Sequence, residues 1–411
     1  MITEIRVSNF YSIGEEVKIS FIRNGKKPDE GYYQYKDSKN VSLVNGFFGV
    51  NASGKTNVLR AIVTLINLIY TSPNPNNIYN PNQNLFAIFP NYNYAKGGEV
   101  VELGANFLFG DNLYKYDLKI KNNAILHEKL EVAFNQSQKT ARFGLVFERN
   151  EGGQFKVGNS FGEVDKMLRH ITLRLDHTFL SILQYAGFDP KSMEVILKDF
   201  RNNKYLLNAG QNEQIPSFVN IIHTGLNMKL NPILINNKAL EITTEALRLF
   251  DNSIATLEIV DTSDNPKVLV IHRGFSSPVD MTNESRGTQE LFVYIYSIID
   301  ILRNGGVVVY DEINRFYHPD IQQIIFKLFL SVSKNSKNAQ LFFSSHDHEI
   351  MGSLESDQLF IVEKENSGSV VTKISDFDID TRSNISKKYR LGVFGATPDI
   401  SNINFNFNEW L

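Results

Sequence analysis

The feature that most constrains the fold of this chain is a glycine-rich segment, residues 49–56, that ends in Lys-Thr. It reads Gly49-Val50-Asn51-Ala52-Ser53-Gly54-Lys55-Thr56 and fits the pattern G-x-x-x-x-G-K-[ST]. Glycine lets the backbone curl so that successive N–H groups point at one phosphate, and the N-terminus of a following helix adds the positive end of its dipole. An apolar run, Val41–Val44, precedes the segment, and a helical pattern over 57–70 follows it. These flanks predict a strand, a phosphate-binding loop and a helix, and they disfavour a purely structural glycine turn.

The loop also predicts individual roles. We expect Lys55 to reach the β- and γ-phosphates of a nucleotide and the hydroxyl of Thr56 to ligate Mg²⁺. The residues predicted to bind the nucleotide are Gly49, Asn51, Ala52, Ser53, Gly54, Lys55, Thr56 and Asn57.

A pair of carboxylates follows an apolar strand in the second half of the chain. Val307–Tyr310 has the composition of a fully buried strand, and Asp311 and Glu312 come directly after it. Ligands of open α/β sheets bind at the carboxyl ends of the strands. We therefore expect Asp311 to hold Mg²⁺ and Glu312 to polarise the attacking water. Taken alone, an apolar run before Asp-Glu would indicate a turn at a strand end.

A histidine ends the next apolar run. Leu341–Ser345 precedes His346, whose imidazole is placed to contact the γ-phosphate. The triplet His346-Asp347-His348 has a metal-binding alternative, which is disfavoured because one strand end supplies too few convergent ligands.

A second anion-binding segment lies before the Asp311 strand. Ser285, Arg286 and Gly287 precede a helical pattern, so a hydroxyl and a helix N-terminus coincide. Its distance along the chain from the first loop indicates that it caps the γ-phosphate of a nucleotide held by another subunit. The alternative is a helix-capping serine followed by a turn glycine.

Composition removes several classes of function. The chain has 411 residues, 42 Lys+Arg against 45 Asp+Glu, a net charge of −3 and no cysteine. Disulfides, thiol nucleophiles and cysteine-ligated zinc are therefore excluded, and a histone-like nucleic-acid coat is disfavoured. No apolar run reaches the ~18 residues of a membrane span, and residues 1–7 lack signal-peptide character. We expect a cytoplasmic protein without a membrane partner.

The pattern along the chain predicts an α/β fold. We expect an N-terminal ATPase lobe with an antiparallel β-subdomain over 1–160, a helical insertion over 161–252 and a C-terminal lobe over 253–411. Residues 23–40 carry Gly, Pro and Lys and predict an exposed loop. Residues 107–116 predict a hairpin, and the Pro- and Asn-rich stretch 71–94 predicts an insertion loop.

Together, the phosphate loop, the Ser-x-Gly segment, the Asp-Glu strand and the histidine follow the order seen in ABC-type ATPase heads. More narrowly, the chain resembles the stand-alone bacterial ATPases grouped with the overcoming-lysogenisation-defect and abortive-infection proteins. This resemblance extends to four further stretches of the chain: residues 5–13, 284–288, 318–319 and 389–398. It implies a P-loop NTPase of the ABC-head type that uses ATP and Mg²⁺ and works as a homo-oligomer.

Departures from that family pattern are informative. Arg286 stands where transporters carry Gly, which argues against a transporter subunit. In the family, Ser-Leu is the commoner sequence before the His-Pro dipeptide. Residues 314–317 replace it here, so the sequence does not define the chemistry of the loop between subunits. Gln136 and Gln138 are the nearest candidates for the metal-sensing glutamine, and the sequence does not choose between them.

The resemblance also implies a biological role. The stretch 57–283 lacks sustained heptads, so a long coiled-coil tether is excluded, and the chain after Val371 is too short for a Toprim nuclease domain. We therefore expect a nucleotide-driven switch in bacterial anti-phage defence that controls a separate toxic effector, such as a Toprim-type nuclease. The final apolar alternation, Ile403 to Phe407, could dock a partner as an added strand or pack on its own domain.

Two other functions stay open at this stage. One is a DNA-binding clamp of the repair or chromosome-organising type without long coiled coils, so DNA is a possible partner. The other is nuclease activity through Asp376, Asp378 and Asp380, although alternating aspartates usually form a solvated edge. The basic run 387–390 also has two interpretations: it contacts phosphates, or it forms a solvated face.

Overall fold

The computed structural model describes residues 1–26, 28–36, 38–70, 100–122, 124–135, 142–168, 176–185, 190–201, 204–208, 237–260, 267–313, 319–365, 368–378 and 384–395. The strands are β1 (Ile2–Ser8), β2 (Val17–Ser20), β3 (Ile22–Asn24), β4 (Tyr32–Lys36), β5 (Lys39–Ser42), β6 (Val44–Phe48), β7 (Val101–Phe109), β8 (Asn112–Lys121), β9 (Ala124–Ala133), β10 (Gly144–Arg149), β11 (Phe155–Val157), β12 (Lys204–Asn208), β13 (Ile254–Val260), β14 (Lys267–His272), β15 (Val279–Asp280), β16 (Gly306–Tyr310), β17 (Gln340–Ser344), β18 (Leu359–Glu365) and β19 (Gly368–Lys373). The α-helices are α1 (Lys55–Tyr70), α2 (Gly162–Leu168), α3 (Phe179–Tyr185), α4 (Glu194–Arg201), α5 (Asn237–Arg248), α6 (Arg286–Asn304), α7 (Pro319–Leu330) and α8 (Ile385–Arg390).

A six-stranded, mainly parallel sheet positions the predicted site. Its order is β12-β16-β17-β6-β18-β19, and only the last pair is antiparallel. β6, β16 and β17 are buried along their full lengths, as expected for parallel strands covered on both faces. Because these strands run parallel, their carboxyl ends lie at one edge of the sheet. The phosphate loop, the Asp-Glu pair and His346 therefore leave the sheet at the same edge.

The two faces of this sheet contribute to different hydrophobic cores. Val307 and Val309 face the core that contains α1 and the inner side of a second sheet, whereas Val308 and Tyr310 face the core that contains α6 and α7. This alternation within β16 follows the two-residue period of a strand.

A seven-stranded antiparallel sheet covers α1. Its order is β11-β10-β9-β8-β7-β1-β2, with the β7–β8 hairpin turning at Gly110 and Asp111. The inner face packs on α1, α3 and α4, and the outer face carries charged side chains. The predicted α/β fold with an antiparallel β-subdomain and inserted helices is confirmed, whereas the three domain boundaries remain a prediction.

Three local predictions need correction. Residues 23–40 are not an exposed loop, because β3, β5 and β4 form a three-stranded antiparallel sheet there, with Tyr32 and Val41 buried. The strand that enters the phosphate loop is β6, which begins at Val44, whereas the first two residues of the predicted run 41–44 belong to β5. The predicted helical insertion over 161–252 did not include β12, which extends the central sheet beside β16. β6 and β12 are set by pairing with strands distant in sequence, whereas β3, β4 and β5 pair locally with one another.

Several predictions fall outside the described residues: the loop over 71–94, Gln136 and Gln138, residues 314–318, Asp380 and the segment 403–407. Within the described ranges, no helix combines the length and the apolar character that a membrane crossing requires.

Candidate active site

The phosphate loop joins β6 to α1 through a tightly turned backbone. The Ser53 amide donates to the Val50 carbonyl at 3.2 Å, and the amides of Asn57 and Val58 donate to the Gly54 carbonyl. Gly49 and Gly54 have positive φ angles of 155° and 113°, and Ala52 has a φ of 61°. A non-glycine residue in the left-handed region is uncommon outside tight turns and functional sites. The loop thus has the curled backbone that its sequence predicts.

Lys55 begins α1 and lies inside the loop. Its Nζ donates to the carbonyls of Gly49 at 2.8 Å and Val50 at 2.9 Å, and the residue is 5% exposed. Burial lowers the pKa of Lys55 from 10.5 to about 8, while the nearby carboxylates of Asp311 and Glu312 oppose this shift. A desolvated ammonium stabilises an anion more strongly than a hydrated one does. Lys55 is therefore suited to hold a phosphate group.

Asp311 and Glu312 are fixed by a serine on the neighbouring strand. The Ser344 hydroxyl donates to Asp311 Oδ1 at 2.5 Å, and the Glu312 amide donates to Ser344 Oγ at 2.8 Å. The Ile313 amide donates to the Ser344 carbonyl at 3.0 Å. Glu312 has a φ of 51°, so this turn holds the glutamate in an unfavourable backbone conformation. Ser344 thereby orients the Asp311 carboxylate and fixes the backbone of Glu312.

His346 lies beside the glutamate. Its Nε2 is 3.4 Å from Glu312 Oε1, and the two side chains are 33% and 39% exposed. Because β16 and β17 are adjacent and parallel, the residues just after them meet at one edge. Imidazole and carboxylate are thus open to a ligand approaching the phosphate loop.

The Ser285 segment has a different environment. Ser285 caps the N-terminus of α6, and its Oγ lies 3.2 Å from the Thr288 amide and 2.8 Å from the Thr288 hydroxyl. Ser285 and Gly287 are exposed. Among the hydrogen bonds of the described residues, none joins this segment to the phosphate loop of the same chain.

A buried pair anchors this segment from behind. His272 Nε2 is 2.9 Å from Glu284 Oε1, and His272 Nδ1 is 2.8 Å from the Ser253 hydroxyl. The side chains of His272 and Glu284 are only 6% and 10% exposed. Gln289 adds two bonds by donating to the carbonyls of Thr282 and Glu284. The residue before Ser285 is therefore fixed to β14.

The residues present fit a nucleotide with a divalent cation. Ser53 Oγ is buried inside the loop and has no hydrogen-bond partner among the residues that the structure describes, and Lys55 is desolvated. Thr56 and Asp311 would hold Mg²⁺, which takes few protein ligands and completes its shell with water and phosphate. Within the described ranges, no cluster of three or more His, Asp or Glu side chains is placed to hold a metal by itself, without water and phosphate as further ligands.

The structure brings most of the predicted residues together. Lys55, Asp311, Glu312 and His346 meet at the carboxyl edge of the central sheet. Asn57 follows the loop, and its side chain contacts Ser12 and Arg60. Ser285 and Gly287 lie on a separate exposed segment, and nothing is described of the Arg286 side chain.

The sequence did not indicate Ser344 or Ser369 as parts of the site. Ser344 ends β17 at the carboxyl edge of the sheet. Knowledge that β17 lies beside β16 would therefore have predicted that Ser344 is close to the Asp-Glu pair. Ser369 contacts the carbonyl of Ser53 across 316 residues of sequence, and no local pattern marks it.

Comparison with known proteins places the chain in a family. The family model described as "AAA domain, putative AbiEii toxin, Type IV TA system" matches residues 44–352, from the start of β6 to beyond His346. No curated protein sequence matched. Among solved structures, the SMC head bound to the C-winged helix domain of ScpA is 13% identical with a TM-score of 0.43, over 90% of this chain and 96% of that one. The SMC head domain from Thermotoga maritima is 12% identical with a TM-score of 0.38, over 90% and 98%. Because the family model spans more than half of the 411 residues and includes the phosphate loop, the Asp-Glu pair and His346, the protein belongs to this family of AAA-type ATPases.

Proposed function

We propose that the protein hydrolyses ATP at the edge of its central sheet. The observation that carries this proposal is that the curled phosphate loop, with the desolvated Lys55 inside it, lies at the same edge of the central sheet as Asp311 and Glu312. Binding alone would not require the carboxylates, whereas hydrolysis needs a group that orients water. Membership of an AAA domain family supports the same reaction.

Each residue has a distinct role in this proposal. Lys55 and the loop amides bind the β- and γ-phosphates, and Glu312 accepts a hydrogen bond from the attacking water. His346 contacts the γ-phosphate and lies close enough to Glu312 to link the two. Mg²⁺, held by Thr56 and Asp311, would neutralise charge on the phosphates when bound.

The exposed Ser285 segment is the basis for proposing that a second copy of the chain completes the nucleotide site. A nucleotide in the phosphate loop has its γ-phosphate at the open edge of the site, and Ser285 with the N-terminus of α6 offers a hydroxyl and a positive dipole. Because this segment makes no described hydrogen bond to its own phosphate loop, we propose that it acts on ATP held by a partner chain. The active form is then at least a dimer.

The biological role that we propose is a nucleotide-driven switch in bacterial anti-phage defence, which controls a separate toxic effector such as a Toprim nuclease. The family description, with its abortive-infection toxin and toxin–antitoxin terms, supports a defence role. The resemblance to the overcoming-lysogenisation-defect and abortive-infection group supports an effector of the Toprim-nuclease kind.

The outer face of the seven-stranded sheet bears on the DNA-clamp alternative. Among the described residues, basic side chains on this face lie beside carboxylates: Arg6 is 2.9 Å from Asp117, Lys119 is 2.7 Å from Glu102 and Lys129 is 3.0 Å from Glu131. Duplex binding relies on cations that are available to phosphates. We therefore favour the switch over a clamp that grips DNA on this face.

Glu312→Gln tests the reaction directly. The amide keeps the shape of the side chain but is a poor proton acceptor, so we expect phosphate release to fall by about 10²–10⁴ while a fluorescent ATP analogue still binds. Glu241→Gln, an exposed glutamate on α5, is the matched control and should keep the parent rate. A Glu312→Gln chain that hydrolyses ATP as fast as the parent contradicts the assigned role.

A further inference from the structure

Three buried serines lie in contact behind the phosphate loop. Ser53 belongs to the loop, Ser12 to the turn after β1 and Ser369 to β19, and they are 1%, 9% and 2% exposed. Ser369 and Ser12 are 357 residues apart in sequence, yet their Oγ atoms are 2.7 Å apart. Ser369 Oγ also lies 2.5 Å from the Ser53 carbonyl oxygen. The N-terminal turn and the C-terminal hairpin thus meet at the back of the loop.

The direction of these hydrogen bonds follows from counting protons. Asn57 Nδ2 donates to Ser12 Oγ at 2.7 Å. Each hydroxyl has a single proton, so every contact is satisfied when Ser12 donates to Ser369 and Ser369 donates to the Ser53 carbonyl. The result is a chain of hydrogen bonds from α1, through both serines, to the backbone of the loop.

Backbone packing keeps this chain of bonds in place. The Ser369 amide donates to the Ser12 carbonyl at 2.7 Å. A Cβ added at Gly54 would collide with Ser369 Oγ, and one added at Gly49 would collide with the Val362 carbonyl of β18. The β18–β19 hairpin therefore contacts the loop at both of its glycines.

The Ser53 carbonyl is the critical acceptor. A phosphate loop binds its ligand with N–H groups that point inward, and in a trans peptide the carbonyl points opposite to the N–H, so the Ser53 carbonyl must point away from a ligand bound by the Gly54 N–H. A buried carbonyl needs a donor, and without one the peptide tends to rotate toward a new partner. Rotation of the Ser53–Gly54 peptide would turn the Gly54 N–H away from the phosphate.

We propose that Ser369 is a positioning residue of the nucleotide site, which acts with Ser12 by holding the Ser53–Gly54 peptide in its phosphate-binding orientation. This inference rests on the proposed ATP-binding function. It assigns to the β18–β19 hairpin, whose Ser369 follows Ser53 of the phosphate loop by 316 residues, a direct influence on nucleotide affinity.

Ser369→Ala tests this role against a matched control. Ser181→Ala also removes a buried hydroxyl, which donates to the Thr178 carbonyl at 2.8 Å in α3, away from the nucleotide loop. We expect both variants to lower the melting temperature similarly, and only Ser369→Ala to weaken binding of a fluorescent ATP analogue, by about tenfold. The rate at saturating ATP should stay within about twofold of the parent, because the chemical groups are untouched.

Ser12→Ala and the double variant sharpen the test. Removing Ser12 breaks the same chain one bond further from the loop, so a smaller loss of affinity is expected. The double variant should lose little more than Ser369→Ala alone, because the two hydroxyls act as a unit. Ser12→Ala also supplies the test if Ser369→Ala fails to fold.

Affinity of Ser369→Ala within about twofold of the parent, or equal weakening by Ser181→Ala, overturns the positioning role. Lys55→Ala distinguishes rejection of the positioning role of Ser369 from rejection of ATP binding at the phosphate loop. If the parent binds ATP and Lys55→Ala does not, an unaffected Ser369→Ala rejects only the serine chain. If Lys55→Ala binds as well as the parent, ATP binding at this loop is itself rejected.

Discussion

The phosphate loop and the Ser285 segment both lie at the start of a helix, and we propose that both bind anions, but they are held in different ways. The phosphate loop is buried, and Lys55, Ser369 and the β18–β19 hairpin fix it within one chain. The Ser285 segment is anchored from behind by His272 and Glu284, while Ser285 itself is exposed. The first site can bind a ligand within its own chain, whereas the second presents its donors outward.

This difference predicts separable effects of substitution. Damage to the phosphate loop should remove nucleotide binding in an isolated chain. Damage to the Ser285 segment should leave that binding intact and reduce turnover, which depends on assembly.

Lys55→Ala has the largest expected effect. It removes a desolvated cation that faces Asp311 and Glu312, so nucleotide binding should weaken by about 2–5 kcal/mol. Titration with a fluorescent ATP analogue measures this loss, and Lys166→Ala, an exposed lysine on α2, is the control. Unchanged affinity would mean that the loop is not the binding site.

How far the sequence predicted this site depends on how local each signal is. The loop, the Asp-Glu pair and His346 were predicted because each has a fixed order of residue types around one strand end. β12 and the contact between Ser369 and Ser53 depend on partners far along the chain, for which a single sequence has no local pattern. The β3–β4–β5 sheet is local, but its strands are short and the polar composition of residues 23–40 indicated a loop instead.

His272→Ala should have an intermediate effect, on stability. Without the imidazole, the buried Glu284 carboxylate loses a hydrogen bond, so unfolding should become easier by about 1–3 kcal/mol. His127→Ala breaks a similar contact to Glu148 at 3.0 Å, where both side chains are about a quarter exposed, and should cost only about 0–1 kcal/mol. Denaturant unfolding of both variants compares the two costs. Equal losses would show that burial of the His272–Glu284 pair is not what anchors the segment.

Ser285→Ala should have the smallest effect on the isolated chain. It removes the N-cap of α6, which contributes about 1 kcal/mol to stability, and it should leave nucleotide affinity unchanged. Turnover should fall about tenfold, since one hydrogen bond from a hydroxyl to the anionic γ-phosphate is lost. Affinity and turnover are measured on the same preparation. A parallel loss of affinity would mean that Ser285 acts on its own chain's nucleotide.

A complementation experiment tests the central claim, that one chain's phosphate loop works with the other chain's Ser285 segment. Lys55→Ala disables the first, and Ser285→Arg blocks the second with a bulky side chain. Each variant alone should be inactive. After subunit exchange in an equal mixture, half of the dimers are mixed and each carries one intact pair, so about a quarter of the parent ATPase rate should return. A mixture that stays inactive, or a Ser285→Arg chain that keeps the parent rate by itself, contradicts the claim.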